Sequence, residues 1–364
     1  MRFRSRRFKP IRRPPYCERS ISTGLAWIAA VVAAGPAMAV EEVMPRHITP
    51  ATLKAVRAGL EYLAKNQQGD GSWTNNEGGR AYPVAVTGLA GTALLANGNT
   101  PTRGRYAPQV ERAVEYLLNR STDSGLITGP TQENGRPMHG HGFALMFLAS
   151  VYGMESDPAL RDRSKEVIDN AVRLTAEGQS ADGGWTYIPG AGDEGSVTVT
   201  QVQALRAAHN AGLYVPRGTI GQAVQYIERC STPEGGICYS LRSRGGARLA
   251  ISAAAVATLY NAGQYDAPVA NRCLEYVWRH FKDSKRWQHG GHNFYCQLYA
   301  SQAFYMAGDQ YWDNYFPNAR DQLIAMQNKG DGSWQGDGIG KAYGTAIALI
   351  ILQLPYKYLP VYQR

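Results

Sequence analysis

Apolar positions in this chain recur three and four residues apart, as at Val56, Leu60 and Leu63, and nowhere alternate as a half-buried strand would require. The spacing predicts helices in a fixed alternation. An amphipathic helix with one apolar face is followed by a glycine-rich loop and then by a helix apolar on nearly every side. Five of these second helices stop at a glycine: Gly98, Gly153, Gly212, Gly263 and Gly308. The sixth is predicted to run from about Tyr343 into Pro355, which cannot continue a helix.

The alternation is a repeat. The small residues Gly59, Ala113, Ala171, Ala223, Cys273 and Ala319 each open the same short pattern, at spacings of 54, 58, 52, 50 and 46 residues. Gly59-Leu60-Glu61-Tyr62-Leu63, Ala113-Val114-Glu115-Tyr116-Leu117 and Ala223-Val224-Gln225-Tyr226-Ile227 are the clearest copies, and Ala171 and Ala319 open the weakest. Six helical pairs whose second members are too apolar to face water bury themselves best as an inner and an outer ring. The expected fold is therefore all-α, an (α/α)6 toroid over 49–364 after a short extension at 40–48. An open solenoid of the same pairs is the rival architecture.

The loops carry the sharpest motif. Gln67, Gly71 and Trp73 recur as Gln179, Gly183 and Trp185 at the same spacing, and as Gln327, Gly332 and Trp334 with one extra residue. In the other units Ile127, Ile237 and Trp287 take the tryptophan place. A glutamine there can bond backbone groups at an outer-helix end, while the indole packs beneath the next turn with its N–H on a carbonyl. Such a device braces neighbouring pairs and does no chemistry. Asp70, Asp182 and Asp331 beside the loop glycines read as turn and capping residues.

Charge changes the picture less than its total suggests. The 364 residues carry 38 Lys and Arg against 29 Asp and Glu, a formal charge of +9, which invites a nucleic-acid or membrane partner. Eight of those bases precede position 40 against one acid, Glu18, and an apolar run over 24–34 and the triplet Ala37-Met38-Ala39 follow them. That is the layout of a secretory signal peptide over 1–39. An uncleaved amphipathic anchor is the alternative reading, and Ser5-Arg6-Arg7-Phe8-Lys9 leaves open a twin-arginine route beside the general one. Residues 40–364 carry 30 bases and 28 acids, a net +2, so the argument for nucleic acid falls away. The expected location is periplasmic or extracellular, with no transmembrane segment once the leader is removed. In that oxidising setting Cys230 and Cys238 form either a local disulfide or, with Cys273 and Cys296, buried thiols. No C-x-x-C, H-E-x-x-H or zinc-finger spacing occurs, and no cofactor or metal is expected.

The repeated Gln-x3-Gly-x-Trp after a helix resembles the QW repeat of squalene cyclases, on the toroid also used by protein prenyltransferase β-subunits and complement-like thioester domains. The likeness runs from about Thr49 to Leu354, and Tyr343-Gly344-Thr345-Ala346 through Leu359-Pro360 is similar to an exported, single-toroid subgroup. The resemblance implies a terpenoid-cyclase-like cavity protein. The chain departs from each branch's chemistry, however. The D-x-D-D acid of the cyclases is missing, Cys238-Tyr239 lacks the aspartate a prenyltransferase zinc site needs two residues earlier, and no Cys-Gly-Glu-Gln run is present. Fold alone does not carry function.

The nearest acid to the cyclase position is Asp193-Glu194 at the predicted start of the third inner helix, where two carboxylates could raise one another's pKa. The same residues would equally serve as caps. Arg80, His139, His141, Arg244, Arg248, His289, His292 and Lys341 fall near the starts of inner helices, all expected on one rim, where cations and helix N-termini favour an anion. His292, Tyr295, Tyr299 and Gln302 share one face of the fifth inner helix, an expected cavity lining for an isoprenoid or other lipid, unless the tyrosines merely fill the core. Three functions stand open at this point. They are a lipid-binding toroid with conditional cyclase-like catalysis, a protein-binding or envelope scaffold without catalysis, and a polysaccharide-acting toroid using rim residues.

Overall fold

A computed structural model describes residues 44–74, 82–129, 133–282 and 291–363. The leader, Arg80, Trp287 and His289 lie outside the described residues. Twelve α-helices are present among those described, paired as the repeat predicts. The outer helices are α1 (Pro50–Asn66), α3 (Ala107–Leu118), α5 (Pro158–Glu177), α7 (Arg217–Arg229), α9 (Pro268–Phe281) and α11 (Asp309–Met326). The inner helices are α2 (Pro83–Leu95), α4 (Met138–Val151), α6 (Gly195–Asn210), α8 (Leu249–Asn261), α10 (Asn293–Ala307) and α12 (Lys341–Gln353).

Patterning decides the layer. Helix α1 buries only the stripe Thr52, Ala55, Val56, Gly59, Leu60 and Leu63, whereas α12 buries every residue from Ala342 to Gln353. Its end differs slightly from expectation: the helix stops at Gln353, and Leu354–Tyr356 with Pro355 continues as one 3₁₀ turn. Each inner helix packs on the next, and α12 returns to α2, so the ring closes. Outer helices lie chiefly against the inner helix before them, with α1 on α12. The open solenoid is thereby replaced by an α/α toroid.

The loop motif explains how neighbours are held. Gln67 Nε2 donates to Gly71 O and, in the next outer helix, to Gln109 O, both at 2.9 Å. Gln179 does the same with Gly183 O and Thr219 O, and Gln327 with Gly332 O and Ala55 O. The last bond ties the sixth unit to the first. Trp73, Trp185 and Trp334 are wholly buried, and their indole N–H groups donate to Leu63 O, Thr175 O and Leu323 O. Each tryptophan needs a small neighbour: a Cβ on Gly59 would sit 2.7 Å from the Trp334 ring. Gly71 is confined further, since its φ is +91° and a Cβ would meet Arg112 O at 2.2 Å. The repeat's small and glycine positions are thus set by a tryptophan or a backbone crossing them.

One more tie recurs. The N–H at the tryptophan place donates to an inner-helix hydroxyl: Trp73 to Thr87, Trp185 to Thr198, Ile237 to Ser252 and Trp334 to Thr345. In the second unit Ile127 N–H instead donates to His141 Nδ1 at 3.1 Å. The four cysteines Cys230, Cys238, Cys273 and Cys296 are buried thiols, and burial pushes that of Cys230 up to about 12. None of the helices among the described residues is long and apolar enough to cross a membrane.

Candidate functional site

All inner helices begin on one rim, and that rim gathers the titratable and aromatic residues. The chain delivers them through the loops that enter α4, α6, α8, α10 and α12. Tyr187 and Tyr239 each stand two residues beyond the tryptophan place of their loops, and their hydroxyls meet at 2.9 Å. The Arg136 guanidinium lies 5.0 Å over the Tyr187 ring, and that of Arg248 lies 5.7 Å over Tyr239. His139 packs beside Tyr187 at 5.8 Å, and its Nε2 is 3.3 Å from Ser196 Oγ. Ser196 Oγ in turn donates to Glu194 Oε2, so His139 is the donor in that chain. Burial first, and then His292 nearby, hold the His139 imidazole down to about 4 and therefore neutral. Tyr295 completes the mouth, half-buried, with its hydroxyl on Ser196 O at 3.1 Å.

The mouth carboxylates are engaged with backbone. Glu194 caps α6, accepting from Ser196 N and Val197 N. Glu133 reaches across from the next unit to accept from Val84 N and Ala85 N at the start of α2, each at 2.9 Å. Asp337 does likewise for Phe294 N and Tyr295 N of α10, each at 3.0 Å. Asp193 accepts from Leu241 N at 2.7 Å, and its side chain is fully enclosed, with Arg242 Nε 3.9 Å away. Burial raises Glu133 to about 7 despite its two N–H donors, and raises Glu194 against the opposing pull of Ser196 and Val197.

These positions revise the sequence-derived site. Asp193 and Glu194, the candidate acids, are both buried and hold loop and helix backbone, so neither offers a proton to a ligand in the mouth. His141 is fully buried between Ile127 N–H and Thr175 Oγ1, a structural tie held neutral by burial, with a pKa lowered to about 4. Lys341 pairs with Asp331 at 3.1 Å, an anchor in the loop. His292 and Arg248 are exposed at the rim, as is Arg244. Tyr299 is wholly buried, edge-on to Tyr295 at 4.8 Å. Sequence reasoning missed Arg136, Glu133, Tyr187, Ser196, Tyr239 and Asp337. The shared offset of Tyr187 and Tyr239 from the tryptophan place was the legible signal for two of them.

Below the mouth, buried polar side chains meet across the axis. Gln203 of α6 donates to Gln302 of α10 across the ring, skipping α8, and both are buried. Among the described residues, buried Tyr299 Oη and Gln302 Nε2 have no hydrogen-bond partner, polar groups suited to ordered water. At the far end, a cavity of about 320 Å³ lies under the tail Tyr358–Val361, bounded by Ser150, Tyr152 and Asn210 and by no charged side chain. The chemistry sits at the rim. Among the described residues no group of His, Cys, Asp and Glu could hold a metal ion.

Comparison with family models and with curated proteins finds no match. Solved structures do match in fold. An α-1,6-mannanase from Salegentibacter sp. is 9% identical with a TM-score of 0.60, over 84% of this chain and 99% of its own. A D-mannose isomerase is 10% identical with a TM-score of 0.58, over 85% and 98%. A type II terpene cyclase from Scytonema, 13% identical over 85% and 98%, reaches a TM-score of only 0.36 and carries no argument. The shared feature is the α/α toroid.

Proposed function

We infer that this protein is exported and binds a saccharide chain across the rim formed by Tyr187, Tyr239, Tyr295 and His139. The observation that carries this reading is the contrast along the ring axis. Partly open tyrosines and a neutral imidazole crowd the mouth, while below it buried polar side chains, Gln203 and Gln302, meet across the axis. Tyrosine rings offer faces for the C–H side of a sugar, and their hydroxyls, Ser196 and His139 offer exchangeable donors and acceptors for its hydroxyls. The matching toroids support the same choice by their substrates. The mannanase forms complexes with α-1,6-mannotriose and α-1,6-mannotetrose.

The reading is of binding rather than two-carboxylate hydrolysis. The inactive mannanase variants have two aspartates replaced, whereas Asp193 and Glu194 here are buried and accept backbone N–H groups at the loop and helix start. An isoprenoid reading asks for an empty apolar funnel where Gln203, Gln302 and Tyr299 stand. Calorimetric titration of the purified exported chain with mannan, glucan and galacturonan oligomers tests the proposal, alongside mass spectrometry of co-purified lipids. Saccharide binding weakened about tenfold by Tyr187→Ala and Tyr239→Ala supports it. A co-purified isoprenoid with no saccharide affinity would overturn it in favour of the lipid toroid, and neither ligand would leave the scaffold.

A further inference from the structure

The charges facing the mouth narrow the ligand further, on the basis of the rim reading above. Among the described residues four carboxylates border it, and each accepts at least one backbone N–H. Glu133, Glu194 and Asp337 each take two backbone N–H groups at a helix start, and Asp193 takes Leu241 N. The cations are placed differently. Arg136 and Arg248 are exposed, and neither has an ion-pair partner among the described residues. Instead, one guanidinium lies on each tyrosine of the hydrogen-bonded Tyr187–Tyr239 pair.

That arrangement has a chemical consequence. A cation–π contact with a ring leaves the guanidinium N–H edge free of an ion pair and able to meet an anion. The edge presents a planar fork matched to a carboxylate or a sulfate. A neutral saccharide would leave both forks facing water, and a cationic one would be repelled by them.

We propose that the rim site selects an acidic saccharide, with Arg136 and Arg248 pairing with carboxylate or sulfate groups on successive residues of the chain. The two sources share one chemistry and are separated by matched probes. The uronate arm compares a galacturonate tetramer with its fully methyl-esterified twin, and the sulfate arm compares dextran sulfate with dextran. Calorimetry on the full exported chain in 150 mM salt reads all four, with Arg136→Gln, Arg248→Gln, the double variant, and Arg103→Gln, exposed at the opposite end of the ring, as a control. Thermal unfolding checks that each variant folds.

The expected result is at least tenfold tighter binding of one acidic probe than of its neutral twin. Each single variant of Arg136 or Arg248 should lose about fivefold on that probe and the double variant should abolish the preference, with neutral binding and Arg103→Gln unchanged. Equal affinity for charged and neutral twins would overturn the acidic assignment while leaving the saccharide reading intact. An acidic preference that survives the double variant would overturn the assignment to Arg136 and Arg248. No binding of any of the four would overturn the acidic assignment, and the saccharide reading falls with it when mannan and glucan oligomers also fail to bind.

Discussion

Gln327 is where the ring closes, and its removal offers the most informative single perturbation. Its Nε2 donates to Gly332 O within its own loop and to Ala55 O in α1, both at 2.9 Å, and the residue is buried. Gln327→Ala deletes both bonds and leaves two enclosed carbonyls short of a donor. A net hydrogen bond contributes about 1 kcal/mol, and an unsatisfied buried acceptor costs about 1–3 kcal/mol, so the loss should be about 2–4 kcal/mol. Gln67→Ala removes the equivalent bonds between the first and second units, together with the bond its Oε1 accepts from Arg112 at 2.6 Å, and in a closed ring should cost at least as much. In an open solenoid Gln327 would keep only its bond to Gly332 O and join no neighbouring unit, so its loss would cost less. Urea denaturation of the two variants measures both, with the midpoint shifting and the slope preserved. If Gln327→Ala stays within about 0.5 kcal/mol of the wild type while Gln67→Ala pays in full, the closed ring and the reasoning built on it are refuted.

Other outcomes follow from the same structure. Gly183→Ala, at φ +91° with a Cβ 2.3 Å from Gln222 O, should destabilise by about 3 kcal/mol, whereas Gly69→Ala, with nothing within 4 Å, should be nearly silent in the same melts. Glu133 binds its proton more tightly folded than unfolded, so its contribution to stability should fall by about 3 kcal/mol as pH rises from about 4.5 to 7; Glu133→Gln should flatten that slope, and an unchanged slope would remove Glu133 as its source. His141 works in the opposite direction. Held neutral down to about 4, it should cost stability as pH falls from about 6.5 to 4, and His141→Thr, the residue type at the matching tie of other units, should remove that acid sensitivity in pH-dependent melts. Intact-mass analysis of the secreted protein should find a chain beginning at Val40, and a mass retaining Met1 would end the signal-peptide proposal.

Helix content, the six-fold repeat and the two layers were legible in the sequence, because each follows from local periodicity. An outer helix that buries one stripe and an inner helix that buries all its faces are distinct patterns along the chain before they are distinct positions in space. The bracing role of Gln67, Gly71 and Trp73 was legible for the same reason: glutamine, glycine and tryptophan at fixed offsets leave few physical uses. Even the small residue at Gly59 is a local record of a distant event, the arrival of Trp334.

The site was not legible in this way. Asp193 and Glu194 looked like an acid pair because sequence adjacency cannot say whether a carboxylate meets solvent or a backbone N–H. Glu133 and Asp337 looked like nothing, since the helix starts they cap belong to the preceding unit and lie 48 and 42 residues or more away along the chain. The chain by itself determined a repeat, its helical period and the braces that hold it. Only the closed ring decided which polar groups are consumed in holding helix ends and which stay open to a ligand. Capping, burial and stacking act between units, where neighbours in space are strangers in sequence.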